Sequence, residues 1–244
     1  YGNDRGSDNE DNSRQVLQGT GSGVVVAKGY VLTNYHVVED ATMLEVTSGD
    51  KVYPAELKGT DEAKDIAVLY VEDLDIEPVV LGDSDQLSVG DWAICIGNPL
   101  SFTGTTTVGV ISALNREVTS SATDAYGKRA VNTMIQTDAA INSGNSGGAL
   151  VDAEGKLIGI NTLIMSTSGT SSGVGFAIPV DYAFGIAEQL IQGKTPSHAQ
   201  IGITPMTLTS ELASRFGINA SEGAIINSLT SGGAAEKAGL KVGD

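Results

Sequence analysis

About eleven short runs of β-forming residues, each closed off by Gly, Asn, Asp or Ser, constrain this chain most. They are GVVVA (23–27), YVLTN (30–34), MLEVT (43–47), VYPAEL (52–57), IAVLYV (66–71), WAICIG (92–97), TTVGVISAL (106–114), MIQT (134–137), ALVD (149–152), KLIGINTLIM (156–165) and GVGFAIP (173–179). Many short strands with turn signals between them predict a sandwich or a barrel. Their number exceeds what one small barrel uses, and two packed barrels fit. Lys28-Gly29 reads as a two-residue hairpin turn between the first two runs. With 31 Gly and only 18% charged residues, the composition favours tight turns over long charged helices. One helix stands out, VDYAFGIAEQLIQ (180–192). Pro179 precedes it, Gly193 follows it, and Ala183, Ala187, Leu190 and Ile191 form a 3–4 spaced apolar face.

The character of the chain changes at two places. Residues 1–18 are polar and mostly acidic and read as a flexible tail or linker, because they bury too little apolar area to offset the entropy of ordering. Residues 19–195 hold the β-rich runs and the helix. Residues 196–244 begin with a polar linker and continue as an α+β unit with strands QIGIT and GAIINS and a short helix AAEKAGL. At about 45 residues that unit is small for a core of its own and reads as part of a domain. The net charge is -16, from 14 Lys plus Arg against 30 Asp plus Glu. No basic stripe is present, so no nucleic-acid partner is expected. A single Cys leaves no disulfide framework and no Cys-based zinc site. Two His leave little for a metal, so neither metal nor cofactor is expected. Cys95 sits in an apolar strand and reads as inert core. No apolar run approaches the roughly 18 residues of a membrane span.

Three segments carry chemistry. Gly144-Asn145-Ser146-Gly147-Gly148 places a serine among glycines, which let the backbone turn tightly and aim N–H groups at one spot. The same residues also suit an ordinary surface loop. His36, in TNYHVV, follows a strand amid apolar neighbours and alone reads equally as a satisfied core residue. Asp65, in KDIAVL, opens a buried-looking strand and alone reads as a turn residue or cap. Together they form a set. A serine hydroxyl needs a base within hydrogen-bond reach, and that base needs a carboxylate to hold its tautomer. The chain order His36, Asp65, Ser146 is that of chymotrypsin-type double barrels, not that of subtilisin or the α/β-hydrolases. It puts His and Asp in a first barrel, Ser in a second and the site between them.

The segments TDAAINSGNSGGALVD (137–152), TNYHVVEDA (33–41), KDIAVLYV (64–71) and AICIGNPLS (93–101) resemble the HtrA (Deg) family of serine proteases from about Gly19 to Gly193. QIGITP and GAIINSLTSGGAAEKAGLKVGD resemble the first half of the PDZ domain that follows the protease there. The resemblance implies an all-β, chymotrypsin-like double six-stranded barrel with a C-terminal helix over 19–195, and a partial PDZ domain within 196–244. It implies Ser146 as nucleophile, His36 as general base and acid, and Asp65 as orienting carboxylate. Gly144, Asn145 and Ser146 would supply the backbone of an oxyanion hole, with Ser143 a departure from the family pattern. Ile141, Ile164 and Met165 would line the substrate pocket. Ala140, six residues before the serine, carries no carboxylate to attract Lys or Arg, so small to medium aliphatic residues are expected there. Arg116 matches an arginine of the activating loop, and Ile201-Gly202-Ile203 the PDZ carboxylate loop, which captures peptide C-termini. The implied substrates are unfolded or misfolded proteins and the implied assembly is a homotrimer. The implied location is extracytoplasmic, in a bacterial cell envelope, periplasm or cell surface, with an anchor in a missing N-terminal segment.

Gly144-x-Ser146-x-Gly148 also fits the α/β-hydrolase elbow, with Asp181 and His198 following in order. That elbow must open a helix, and GGALVDAEGKLIGIN reads as two strands about a turn. A second class of function is a module that holds unfolded chains without cutting them, through a latent catalytic loop.

Overall fold

The computed structural model describes residues 19–98, 104–123, 129–142, 144–164, 173–198 and 201–244. The acidic tail expected at 1–18 therefore lies outside the described residues. The chain divides into two compact units, Tyr1–Pro196 and Ser197–Asp244.

The first unit is built from eleven described strands. β1 (Val24–Ala27) and β2 (Tyr30–Thr33) form a hairpin about Lys28-Gly29, with Gly29 at φ 77°. One helical turn, α1 (Tyr35–Val38), follows. β3 (Leu44–Ser48), β4 (Lys51–Asp61) and β5 (Ile66–Tyr70) complete an antiparallel sheet in the order β1-β2-β5-β4-β3. β6 (Trp92–Gly97), β7 (Thr105–Thr123), β8 (Arg129–Thr137), β9 (Ala149–Val151), β10 (Leu157–Ile164) and β11 (Gly175–Pro179) form a closed barrel in the order β10-β11-β8-β7-β6-β9. α2 (Val180–Ile191) closes the unit.

This is the chymotrypsin-like architecture, with one departure from two six-stranded barrels. The first half is a five-stranded sheet among the described residues. The stretch after β5 contains Pro78, which has no N–H to give a ladder. Its one described bond to that sheet beyond the turn at Gly29 is Val79 N–H to the Val25 carbonyl, at 2.9 Å. The stretch then leaves for the second half, where Leu81 bridges Leu157.

Burial explains the run IAVL in β5, which is buried on both faces. Ile66 and Val68 join Leu32, Leu157, Ile160, Phe176 and Ile178 in the core between the halves. Ala67 and Leu69 join Val31, Val38 and Val71 in the core of the first half. Cys95, Ile111, Ile135, Leu150 and Ile158 fill the closed barrel. Burial pushes the Cys95 thiol up to about 11. α2 lays Val180, Ala183, Ile186, Ala187 and Leu190 onto the core between the halves. Full burial of a side chain such as Leu190 contributes about 1.5–3 kcal/mol. β4 reaches that helix at Gly59, where a Cβ would lie 2.8 Å from Leu190 Cδ2. Gly193, at φ 70°, ends the helix as its N–H bonds back to Leu190. Among the described residues no helix is long and apolar enough to cross a membrane.

The second unit pairs β12 (Ile203–Leu208) with β13 (Gly223–Leu229) and adds α3 (Ser210–Phe216) and α4 (Ala234–Lys237). The sequence reading has no helix at 210–216. Its signals are the ends: Thr209 Oγ1 accepts the Leu212 N–H at 3.3 Å, and Gly217 caps the other end at φ 64°.

Candidate active site

Strand pairing brings the first two residues together. β2 and β5 pair antiparallel with Thr33 opposite Ala67, so the chain leaving β2 runs beside the chain entering β5. His36 stands on α1 just past one end, and Asp65 just before the other. Buried Asn34 secures the approach by donating from Nδ2 to the Asp65 carbonyl at 2.9 Å. Asp65 sits in the left-handed region at φ 56°, where short polar side chains are tolerated. It is thus the turn residue its sequence position suggests, and more besides. His36 Nδ1 lies 2.9 Å from Asp65 Oδ2 and 3.0 Å from Oδ1, and the His36 backbone N–H donates to Oδ1 at 3.0 Å. A carboxylate only accepts, so Nδ1 carries the hydrogen and Nε2 is left as acceptor. The Asp65 hydrogen bond raises the His36 pKa above its ordinary 6.5, partial burial opposes this, and the charges of Asp65 and Glu39 add to the rise.

Ser146 lies in the loop between β8 and β9, and the loop's glycines are required by close approach. Gly147, at φ 83°, faces the Ser22 carbonyl and the Thr33 hydroxyl so closely that a Cβ would collide with both. Its N–H bonds the Asn161 carbonyl at 2.8 Å, and Gly148 N–H bonds the Asn145 carbonyl at 2.9 Å. Gly144 is at φ 98°. Among the described residues neither the Gly144 nor the Ser146 N–H has an acceptor. Ser143 lies outside the described residues.

Thr162 joins the two halves of the site, and the sequence reading missed it. The β10–β11 register slips between Asn161 and Leu163, so Thr162 is the extra residue of a bulge. Such a bulge re-aims a side chain and frees a carbonyl from the ladder. The Thr162 hydroxyl donates to Asp65 Oδ2 at 2.6 Å, and its carbonyl accepts the Ser146 hydroxyl at 3.0 Å. Among the described residues no hydrogen bond joins Ser146 to His36. The only sequence signal is the buried polar pair Asn161-Thr162 within an apolar strand.

The remaining predicted residues are dispersed. Ile141 is 1% exposed and packs in the closed barrel against Gly175, where a Cβ would lie 2.8 Å from Ile141 Cδ1. Ile164 ends β10, and Met165 lies outside the described residues. Arg116 stands within β7 rather than on a loop, beside a bulge at Asn115 (φ 55°), and its Nε donates to Gln136 Oε1 at 3.2 Å. In the second unit Ile201 is exposed, Gly202 is at φ 79°, and Ile203 begins β12. The Ile201 and Gly202 carbonyls accept from Ala235 and Thr230 at 2.8 Å each. Asp83, Asp85 and Asp181 gather three exposed carboxylates at the start of α2, where Asp181 accepts both the backbone N–H and the hydroxyl of Ser84.

A β-sheet half and a closed β-barrel, with His and Asp from one and Ser from the other, define the trypsin-like peptidase class. Residues 21–160 match the trypsin-like peptidase domain family. The periplasmic pH-dependent serine endoprotease DegQ of Escherichia coli is 39% identical over 98% of this chain and 52% of its own length. A probable periplasmic serine protease of Haemophilus influenzae, described as do/HhoA-like, is 42% identical over 95% of this chain and 49% of its own length. The solved HtrA-type protease AlgW with tripeptide is 40% identical with a TM-score of 0.77, covering 92% of this chain and 73% of that one. The chain belongs to the HtrA (Deg) family of trypsin-like serine proteases. It spans about half the length of the curated relatives it matches.

Proposed function

We propose that this chain is the catalytic part of an extracytoplasmic serine endopeptidase that hydrolyses peptide bonds of unfolded or damaged proteins through an acyl-enzyme. The observation that carries this reading is the continuous hydrogen-bond path His36–Asp65–Thr162–Ser146. In this reading 19–195 is the protease domain. The Ser146 hydroxyl turns about its Cα–Cβ bond from the Thr162 carbonyl towards His36 Nε2. His36 takes the proton as Oγ attacks the substrate carbonyl, and Asp65 stabilises the imidazolium. The oxyanion lands on the Gly144 and Ser146 N–H groups, of which one alone is worth about 2.7–4 kcal/mol. His36 then protonates the leaving amine, and water hydrolyses the acyl-enzyme by the reverse steps.

The pH dependence follows from the raised His36 pKa. His36 must be neutral to accept the proton, so kcat/KM falls in acid, with its inflection above 6.5. The His36–Asp65 pair stabilises the fold most at low pH, below 6.5, and that contribution is lost as pH rises through the raised value. Activity and this part of stability therefore move in opposite directions with pH. A kcat/KM profile with its acid limb below 6.5 contradicts a His36 pKa raised by Asp65.

Substrate preference is proposed from the absence of a carboxylate at Ala140 and the apolar character of Ile141, Ile164 and Met165. Casein digestion with mapped cut sites should show cleavage after Val, Ala, Leu or similar residues. Cleavage confined to Lys and Arg would refute this pocket. Digestion also tests the central reading, together with labelling by a fluorophosphonate that reacts with activated serines. Cutting and labelling at Ser146 support the protease. Tight retention of unfolded casein with neither supports a latent holding module, the reading to which the lack of a Ser146–His36 hydrogen bond among the described residues would then point.

Homotrimer assembly is proposed on the outer face of the barrel. There Trp92 and Ile96 of β6 and Val108 of β7 are 58%, 39% and 56% exposed. Ile94 pairs opposite Val108 and Trp92 opposite Val110, so these apolar side chains share one face. In the second unit, capture of peptide C-termini is proposed at Ile201-Gly202-Ile203 of a PDZ-type fold.

A further inference from the structure

Ser22 makes four polar contacts, two of them with the Gly144–Ser146 loop of the candidate site. Its backbone N–H donates to the Ser146 carbonyl at 2.8 Å. Its carbonyl accepts the Thr33 hydroxyl at 2.7 Å. Its own hydroxyl donates to the Gly144 carbonyl at 2.7 Å and accepts the Asn98 N–H at 2.8 Å. These partners come from the end of β2, the end of β6 and both ends of the Gly144–Ser146 arc. The packing around them leaves no slack. A Cβ on Gly148 would lie 3.1 Å from Ser22 Cβ, and a Cβ on Gly21 would lie 3.1 Å from the Ser146 carbonyl.

We propose that Ser22 is a positioning residue that holds the oxyanion loop in its productive arrangement, an inference that rests on the protease reading above. The hydroxyl has a defined direction. The Asn98 N–H takes one of its lone pairs, so its hydrogen is directed at the Gly144 carbonyl. That bond fixes the peptide plane between Gly144 and Asn145. The Ser22 N–H fixes the carbonyl of Ser146, so the arc is clamped at both ends. A third bond inside the loop, Asn145 N–H to the Asn142 carbonyl at 3.0 Å, sets the turn between them. Gly144 and Ser146 are thus anchored at their own carbonyls, and their N–H groups, which have no acceptor among the described residues, lie on the held arc where the substrate oxyanion would bind. Gly144 itself resists nothing: with no Cβ, it has no steric bar to rotation. The hydroxyl of a residue 122 positions upstream supplies that restraint. Because Asn98 shares the hydroxyl, the segment leaving β6 is joined to the oxyanion loop through one atom.

The test is Ser22→Ala, which removes the hydroxyl and keeps the backbone bond to Ser146. The measurements are kcat and KM on an aliphatic peptide anilide, Ki for a peptide boronic acid whose adduct places an oxygen in the oxyanion hole, and Tm. The expected result is a kcat lowered about 10–100-fold, at or below the effect of deleting one oxyanion donor outright. The boronate Ki rises by the same factor, KM stays at the wild-type value, and Tm falls only modestly as the Gly144 carbonyl and the Asn98 N–H lose their shared partner. Ser22→Thr, which keeps a hydroxyl, restores most of the rate. Wild-type kcat in Ser22→Ala overturns the proposal. So does a loss of kcat accompanied by a fall in Tm with boronate affinity unchanged, the pattern of a merely structural residue. A wild-type chain that neither cleaves nor takes up boronate overturns the protease reading instead, which separates the two failures.

Discussion

Ser146→Ala should lower the rate of casein hydrolysis by at least about 10³-fold while the chain stays folded. Knocking out the nucleophile of such a set costs about as much as removing all its members, because the others act only through it. Ser146 is half-buried on a loop whose backbone is pinned by Ser22, Asn145 and Asn161. None of these bonds uses the Ser146 hydroxyl. Its one described bond goes to the Thr162 carbonyl, so the substitution leaves that acceptor unpaired. Such a loss costs about 1–3 kcal/mol when the acceptor is fully buried. Circular dichroism should therefore show a native spectrum and at most a modest fall in Tm. Equal rates for wild type and variant would assign the hydrolysis to another residue or another protein. The variant also supplies the background for measuring substrate affinity without turnover.

Asp65→Asn should lower kcat by about 10⁴-fold, with geometry nearly unchanged. Three groups donate to this carboxylate: the His36 ring, the His36 backbone N–H and the Thr162 hydroxyl. An amide has only one accepting oxygen and presents N–H groups of its own. It meets His36 Nδ1 best as a donor, which moves the ring hydrogen to Nε2, the atom that must accept from Ser146. The charge that stabilises the imidazolium is lost as well. The pH profile distinguishes this account from simple misfolding. The Asp65 hydrogen bond is the largest cause of the raised His36 pKa and its charge the third, so the residual activity should show its acid limb at lower pH than wild type. An unshifted limb would mean that Asp65 does not set the state of His36.

Much of the fold was legible before any coordinates. The β-rich runs between turn residues marked all eleven described strands of the first unit, and Lys28-Gly29 and the Pro179/Gly193 pair marked a hairpin and a helix by local backbone preference alone. The limits of β7 and β8 were not legible. They extend well past the apolar runs into NREVTSSAT, polar residues whose strand conformation comes from pairing with each other. α3 was missed because its apolar face is short and only its caps announce it. The open edge of the first half depends on where the chain goes after Pro78, a matter of topology.

The candidate site divides along the same line. The sequence by itself determined the residue types and their order: a histidine after one strand, an aspartate before another, a serine among glycines. Those features depend on neighbours a few residues away, where propensity and turn chemistry act. The tertiary structure alone decided what they touch. The β2–β5 register sets His36 beside Asp65. A one-residue bulge in β10 turns Thr162 towards both Asp65 and Ser146. Closure of the second half onto the first brings Ser22 to Gly144. Each of these is a contact between distant residues, set by strand register and by the shape of buried apolar surfaces. No local pattern encodes such contacts, because each depends on the whole chain having packed.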